Sequence, residues 1–180
     1  MPSLRRDNRL IDALEAMSGQ PFQGNVWRAV RDGRDPTQSS RSGGRWDDGS
    51  FDVLYTSLSP EGAAEEIRYH LRKGQPVIPS KVKYSVHRIA LRLSRVLHLH
   101  PVSLLQSLGY DASRFGQLQY DRRLDEYPQL REIAEVAQFL DYEAIIVPSA
   151  RSDALNLVLF LEKISHDALG EITNEGPVQV

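Results

Sequence analysis

The chain has 180 residues, 22 of them basic and 24 acidic, for a formal net charge of −2, and it contains no cysteine. That length suits one domain with its own core, so no disulfide or metal is needed for stability. The balanced charge argues against broad electrostatic binding to nucleic acid or membrane, and the missing cysteines exclude disulfides, thiolate nucleophiles and cysteine-based zinc sites.

The opening stretch MPSLRRDNRLIDALEAM lacks the apolar segment of a secretory signal. No run approaches the roughly 18 apolar residues of a membrane span. A soluble, cytoplasmic protein is expected. Leu10, Ile11, Leu14 and Met17 recur at helical spacing, with Asp7 as N-cap and Gly19 beyond the end. Residues 25–30, NVWRAV, read as a first strand, with Val26, Arg28 and Val30 on one face and Trp27 and Ala29 on the other. The polar loop that follows, RDGRDPTQSSRSGG, is long enough to be functional or mobile rather than a tight hairpin.

FDVLYTS reads as a second strand, and Ser59-Pro60-Glu61 opens a helix with a serine N-cap, a first-turn proline and an early carboxylate. Its buried stripe is Ala63, Ile67 and His70 or Leu71, which puts Glu66 at the border of that face. KVKYSVHRIALRLSRVLHL alternates over much of its length, as one long bent strand or two short ones. HPVSLLQSLG reads as a short helix, and YDASRFGQLQYDRRLDEYP as an irregular connection. A helix starts at Pro128 and buries Leu130, Ile133, Ala134, Ala137 and Phe139 or Leu140. EAIIVPS and ALNLVLF are short apolar strands. This order predicts an α+β fold with a mixed, mostly antiparallel sheet and flanking helices. One domain is expected over 1–180, with a helical extension at about 1–21, a core at about 22–162 and a C-terminal tail at about 163–180.

His98 and His100 share a strand face and could chelate, but His70, His87 and His166 add no ligand spacing, so packed or solvated histidines and no metal are expected. Phosphate-loop, dinucleotide-fingerprint and nucleophile-elbow patterns are absent. Arg41, Arg45, Arg122 and Arg123 are dispersed among acids, which disfavours a nucleic-acid surface. SGGRW, residues 42–46, has two readings: a Gly-rich turn with a surface arginine, or a turn that admits a phosphate beside Arg45. With Arg28, Tyr55 and Glu66 it forms a set that suits a dinucleotide. Two arginines fit a pyrophosphate, an aromatic face fits a flat ring, and a carboxylate stabilises positive charge developing at an anomeric carbon.

In order along the chain, VWRAV, SGGRW, VLYTS, AAEEI and IIVPSAR followed by NLVLF make it resemble the RES-domain toxins of bacterial toxin–antitoxin pairs, over about residues 22–162. The resemblance implies an ADP-ribosyltransferase-like fold that acts on NAD. NAD would be degraded by hydrolysis or phosphorolysis, or its ADP-ribose transferred to a protein target. It also implies an Xre-like antitoxin that occludes the NAD cleft, with no direct nucleic-acid or membrane partner. Arg28, Tyr55 and Glu66 carry over as catalytic residues; Arg28, Gly44, Arg45, Tyr55 and Ser149 carry over as NAD-binding. Glu65 is the rival of Glu66, since a shift of one residue exchanges them; on a helix the two point about 100° apart. Two positions depart from the family pattern. Ala29 stands where some members have tyrosine, and Tyr127-Pro128-Gln129 where the family serine often lies. Ser149 is then the nearest substitute, or else a hydroxyl at the end of a strand. A non-catalytic RES-like module that binds a nucleotide or a protein is the alternative function. The sequence names neither the final acceptor nor the oligomeric state.

Overall fold

The computed structural model describes residues 7–74, 82–115 and 123–179. Helix α1 (Asn8–Ala16) is capped by Asp7, whose carboxylate accepts from the Arg9 N–H at 2.9 Å. Strand β1 (Gln20–Arg31) leads through the polar loop to β2 (Val53–Ser57) and then to α2 (Pro60–Gly74). Ser59 caps α2 by accepting from the Gly62 N–H at 3.0 Å. Strand β3 (Tyr84–His98) is followed by a short helix, α3 (Val102–Ser107), and a single 3-10 turn at Ala112–Arg114. Helix α4 (Arg123–Phe139), β4 (Ala144–Pro148), β5 (Leu155–Phe160) and β6 (Leu169–Pro177) complete the chain. No helix among the described residues is long and apolar enough to cross a membrane.

The predicted alternation of 84–98 belongs to one long strand, and that strand organises the fold. Its first half lies between β1 and β6, antiparallel to both; its last residues run parallel to β4, with Val96 opposite Ala144 and His98 opposite Ile146. The order is β1-β2-β5-β4-β3-β6, with a further β1–β3 pairing, and β3–β4 is the one parallel pair among the described residues. The sheet therefore folds back on itself. The α+β, mostly antiparallel expectation holds.

Period-2 alternation gives β2, the end of β3, β4 and β5 two buried faces. One face, with Val53, Leu97, Ile145, Val147, Val158 and Phe160, packs under α1, α3 and α4. The other, with Leu54, Val96, Ala144, Ile146, Leu157 and Leu159, packs against Val26, Ile89, Leu91 and Leu93 of the β1–β3 ribbon. Tyr142 ties α1 down: its hydroxyl donates to the Leu14 carbonyl at 2.8 Å, and the Met17 carbonyl lies in reach of the same group.

Two expectations need correction. Pro128 sits inside α4, which begins five residues earlier at Arg123. The proline costs the helix one N–H bond, but Leu130, Ile133, Ala134, Val136 and Ala137 anchor the rest, while Phe139 turns outward. The segment read as a tail contributes β6, which pairs with β3 from Ser85–Pro177 to Leu91–Leu169. The expected irregular connection between α3 and α4 runs partly through residues 116–122, outside the described residues.

Candidate active site: a cation-rich cleft beside the folded sheet

A cavity of about 950 Å³ lies between β1, the turn at 40–46, β2, α2 and the β4–β5 turn. That volume is in the range of roughly 300–1,000 Å³ typical of small-molecule sites. Arg28, Gly44, Arg45, Tyr55 and Glu66 all line it. Among the described lining residues, Glu66 is the one carboxylate, set against Arg28, Arg45, Lys73 and Arg151. Such a balance favours an anionic ligand.

Arg28 comes from β1 and lies across from His87 of β3. Its Nη1 donates to the Pro36 and Gln38 carbonyls at 2.8 and 2.7 Å, so it also pins the polar loop to the strand. Burial lowers its pKa, with Asp35 opposing; an arginine nonetheless stays cationic in a protein. Asp35 holds the loop from within, accepting from the Thr37 N–H and hydroxyl at 2.8 and 2.7 Å.

The SGGRW turn is built around Tyr55. Gly43 has φ +77°, the left-handed region that glycine enters without strain. The Gly44 N–H donates to the Asp47 carbonyl at 2.9 Å. A Cβ on Gly44 would meet the Tyr55 hydroxyl at 2.5 Å and Asp47 Oδ2 at 2.9 Å. The second glycine thus makes room for the tyrosine as well as bordering the cavity. Trp46 is buried at 2% exposure beneath the turn. Arg45 reaches out between two rings, 5.2 Å from the Phe115 centroid and 5.0 Å from that of Tyr127, a cation–π arrangement that fixes the guanidinium. Arg131 of α4 donates from Nε to the Gly44 carbonyl at 2.8 Å and steadies the turn from below.

Helix α2 supplies the acid. Glu66 Oε1 lies 3.1 Å from His70 Nε2, one helical turn on. Glu65 pairs with Arg68 at 2.6 Å and does not line the cavity. Glu66, Tyr69, His70 and Lys73 form one stripe along the cavity, the i, i+3, i+4, i+7 positions of a helix face. Ser149 closes the β4–β5 turn: its Oγ accepts from the Arg151 N–H at 3.1 Å and its N–H donates to the Ala154 carbonyl at 3.0 Å. It is not a lining residue, whereas Pro148, Ala150 and Arg151 beside it are. Asp47, Tyr69 and Lys73 carry no sequence reading, Tyr127 enters it only at the place of the family serine, and Arg151 only as the last residue of IIVPSAR. The stripe on α2 was the available signal for Tyr69 and Lys73.

Elsewhere, His98 Nδ1 and His100 Nε2 face each other at 3.3 Å, and burial, then the charge of His100, lowers the His98 pKa. No group of three or more metal-ligating side chains occurs among the described residues. Arg41 is committed to Asp52 by two bonds of 2.6 and 2.7 Å. Arg122 lies outside the described residues.

Fold and cavity together define a small α+β domain with a cationic, ligand-sized cleft. Residues 25–177 match the RES domain model, and the chain belongs to that family. Its fold is similar to one in the crystal structure of the M. tuberculosis MbcT–MbcA toxin–antitoxin complex, with TM-score 0.72, 19% identity, and 93% of this chain and 92% of that one covered. No curated protein matches the chain.

Proposed function

We propose that the chain is the toxin of a toxin–antitoxin pair and cleaves the nicotinamide–ribose bond of NAD. The observation that carries this reading is the position of Glu66, the one carboxylate among the described lining residues of a cavity that also presents Arg28, Arg45, Lys73 and Arg151. Family membership and the fold shared with a chain of a toxin–antitoxin complex support it.

In this reading Arg28 and Arg45 hold the pyrophosphate, and the left-handed Gly43 with Gly44 lets the backbone approach it. Tyr55 borders the nicotinamide side. Glu66 accepts a hydrogen bond from a ribose hydroxyl and faces the anomeric carbon. As the C–N bond breaks, its electron pair leaves with nicotinamide, and the positive charge left on the ribose is stabilised by the carboxylate. An acceptor oxygen then bonds to the anomeric carbon and gives up its proton. Water and phosphate degrade NAD; a protein side chain makes the reaction an ADP-ribosyl transfer. A cognate antitoxin of Xre type that covers the cleft would silence any of these, and the cytoplasm is where NAD is met.

Proton NMR of the purified protein with NAD tests the reading through free nicotinamide. Release in plain buffer identifies a glycohydrolase, release only with phosphate a phosphorylase, and release only with lysate a transferase. No release in any of the three, from folded protein freed of antitoxin, sinks the enzyme reading and leaves a binding module.

A further inference from the structure

Arg151 stands apart from the other well-placed arginines of this chain. Arg28, Arg41, Arg68, Arg95 and Arg131 each donate to a carbonyl or a carboxylate. The guanidinium of Arg151 makes no hydrogen bond or ion pair among the described residues, and its Nε is buried with no protein acceptor in reach. A buried donor in that condition is costly, so such groups in native proteins are normally satisfied by something.

The side chain is nonetheless firmly placed. Its guanidinium carbon lies 3.5 Å from the centroid of Tyr69, a face-on stack. Tyr69 is itself flanked by Lys73, whose Nζ is 5.0 Å from the ring, and by the edge of His70. The backbone beneath is held by Ser149, and by Ser152, which accepts from the Ala154 N–H at 3.2 Å. Arg151 therefore presents a rigid, uncommitted fork of donors to the cavity it lines. It does so from the β4–β5 turn, an element that carries neither Arg28 nor Arg45. A planar fork of this kind matches the paired oxygens of a phosphate or carboxylate, and stacking on an aromatic ring removes the entropy a free arginine would lose on binding.

We propose that Arg151, seated over the Tyr69 ring, is a second oxyanion-binding arm of the cleft and takes a phosphate-type group. The inference rests on the reading of this cavity as a ligand site. The group is either a phosphate of the dinucleotide itself or a separate inorganic phosphate.

Calorimetric titration with ADP-ribose and with inorganic phosphate separates these sources without turnover. Arg151→Met keeps an apolar stem over Tyr69 and removes the fork; it is expected to weaken at least one probe by about tenfold or more, with Arg151→Lys recovering part of the loss. Tyr69→Leu removes the platform and leaves the charge, so it should weaken the same probe less, and it keeps the test open if the methionine variant melts early. Loss confined to ADP-ribose assigns the arm to the dinucleotide; loss confined to phosphate assigns it to a separate anion. Unchanged affinity for both probes in folded Arg151→Met, or binding of neither by the wild-type chain, overturns the proposal. Nicotinamide release reports separately on NAD cleavage: an inactive chain with Arg151-dependent probe binding would keep this arm and lose that activity.

Discussion

The Tyr55 hydroxyl donates to Asp47 Oδ2 across 2.6 Å, and the Trp46 N–H donates to the same hydroxyl at 3.1 Å. Asp47 is fully buried, at 0% exposure, and its other carboxylate oxygen accepts from the Gly49 N–H at 3.1 Å. The glycine turn and the second strand are thus locked through one phenol. The lock fixes the direction of the hydroxyl proton, which points to Asp47, and leaves the ring of Tyr55 as the surface offered to the cleft.

Replacing Tyr55 with Phe removes the donor and strands a buried carboxylate. Loss of one partner from such a pair costs about 3 kcal/mol, read as a lower urea midpoint at unchanged slope. The double variant Asp47→Leu with Tyr55→Phe removes both polar partners and should be less destabilised than Tyr55→Phe alone. A single variant within about 0.5 kcal/mol of wild type would show that the pair does not hold the turn.

The same pair predicts an alkaline limit. Burial first, then the charge of Asp47 and the hydrogen bond to it, raise the Tyr55 pKa well above the ordinary tyrosine value. The unfolded chain loses this proton near pH 10 and the folded chain only at higher pH. The stabilisation is therefore full below about pH 10 and is lost as pH rises through the folded value. Urea titrations of wild type and Tyr55→Phe at pH 8, 10 and 11 should show the gap between them constant at first, then shrinking. A gap that stays constant to pH 11 contradicts the raised pKa.

The two glycines of the turn fail for different reasons. Alanine at Gly43 must adopt a φ of +77° but meets only ordinary contacts, the nearest with Arg131 Nη2 at 3.5 Å, so the backbone cost of about 1–2 kcal/mol dominates. Alanine at Gly44 drives a methyl into the Tyr55–Asp47 bond, at 2.5 and 2.9 Å from its two oxygens. Gly44→Ala should then lose stability and nicotinamide release together, and pairing it with Tyr55→Phe should cost less than the sum of the two single changes. Additive losses would place the effect elsewhere.

The strands that were legible carry clean alternation or continuous apolar runs: 84–98, 144–148 and 155–160. Strand β6 was not, because LGEITNEGP is an exposed edge with Ile172 as its only strongly apolar interior residue, and its place is set by pairing with β3 rather than by burial. Pro128 misled for a local reason: its start signal is real in isolation, but packing of the later turns carries the helix through it. In the cleft, Arg28, Arg45, Tyr55 and Glu66 were read from types and order, and all four line one cavity. Asp47 and Arg151 were not. A buried acid looks like any loop acid in sequence, and an arginine without a partner is defined only by what surrounds it in space.

Glu65 and Glu66 offer the sharpest test, because adjacent residues of one helix meet different surroundings. Glu65 Oε1 accepts from Arg68 Nη1 at 2.6 Å, away from the cavity lining. Glu66 lines the cavity, with His70 Nε2 3.1 Å from its Oε1. If Glu66 stabilises the charge that develops on the ribose, Glu66→Ala should keep the fold and lose nicotinamide release by about a hundredfold or more, the scale of one electrostatic contact made in the transition state. Glu66→Gln keeps the shape and a hydrogen-bond acceptor for the ribose hydroxyl, so NAD affinity should fall less than turnover. Glu65→Ala breaks a surface pair worth less than about 1 kcal/mol and should leave release within about twofold of wild type. An active Glu66→Ala beside an inactive Glu65→Ala would shift the catalytic register by one residue and require α2 to present its other face to the ligand.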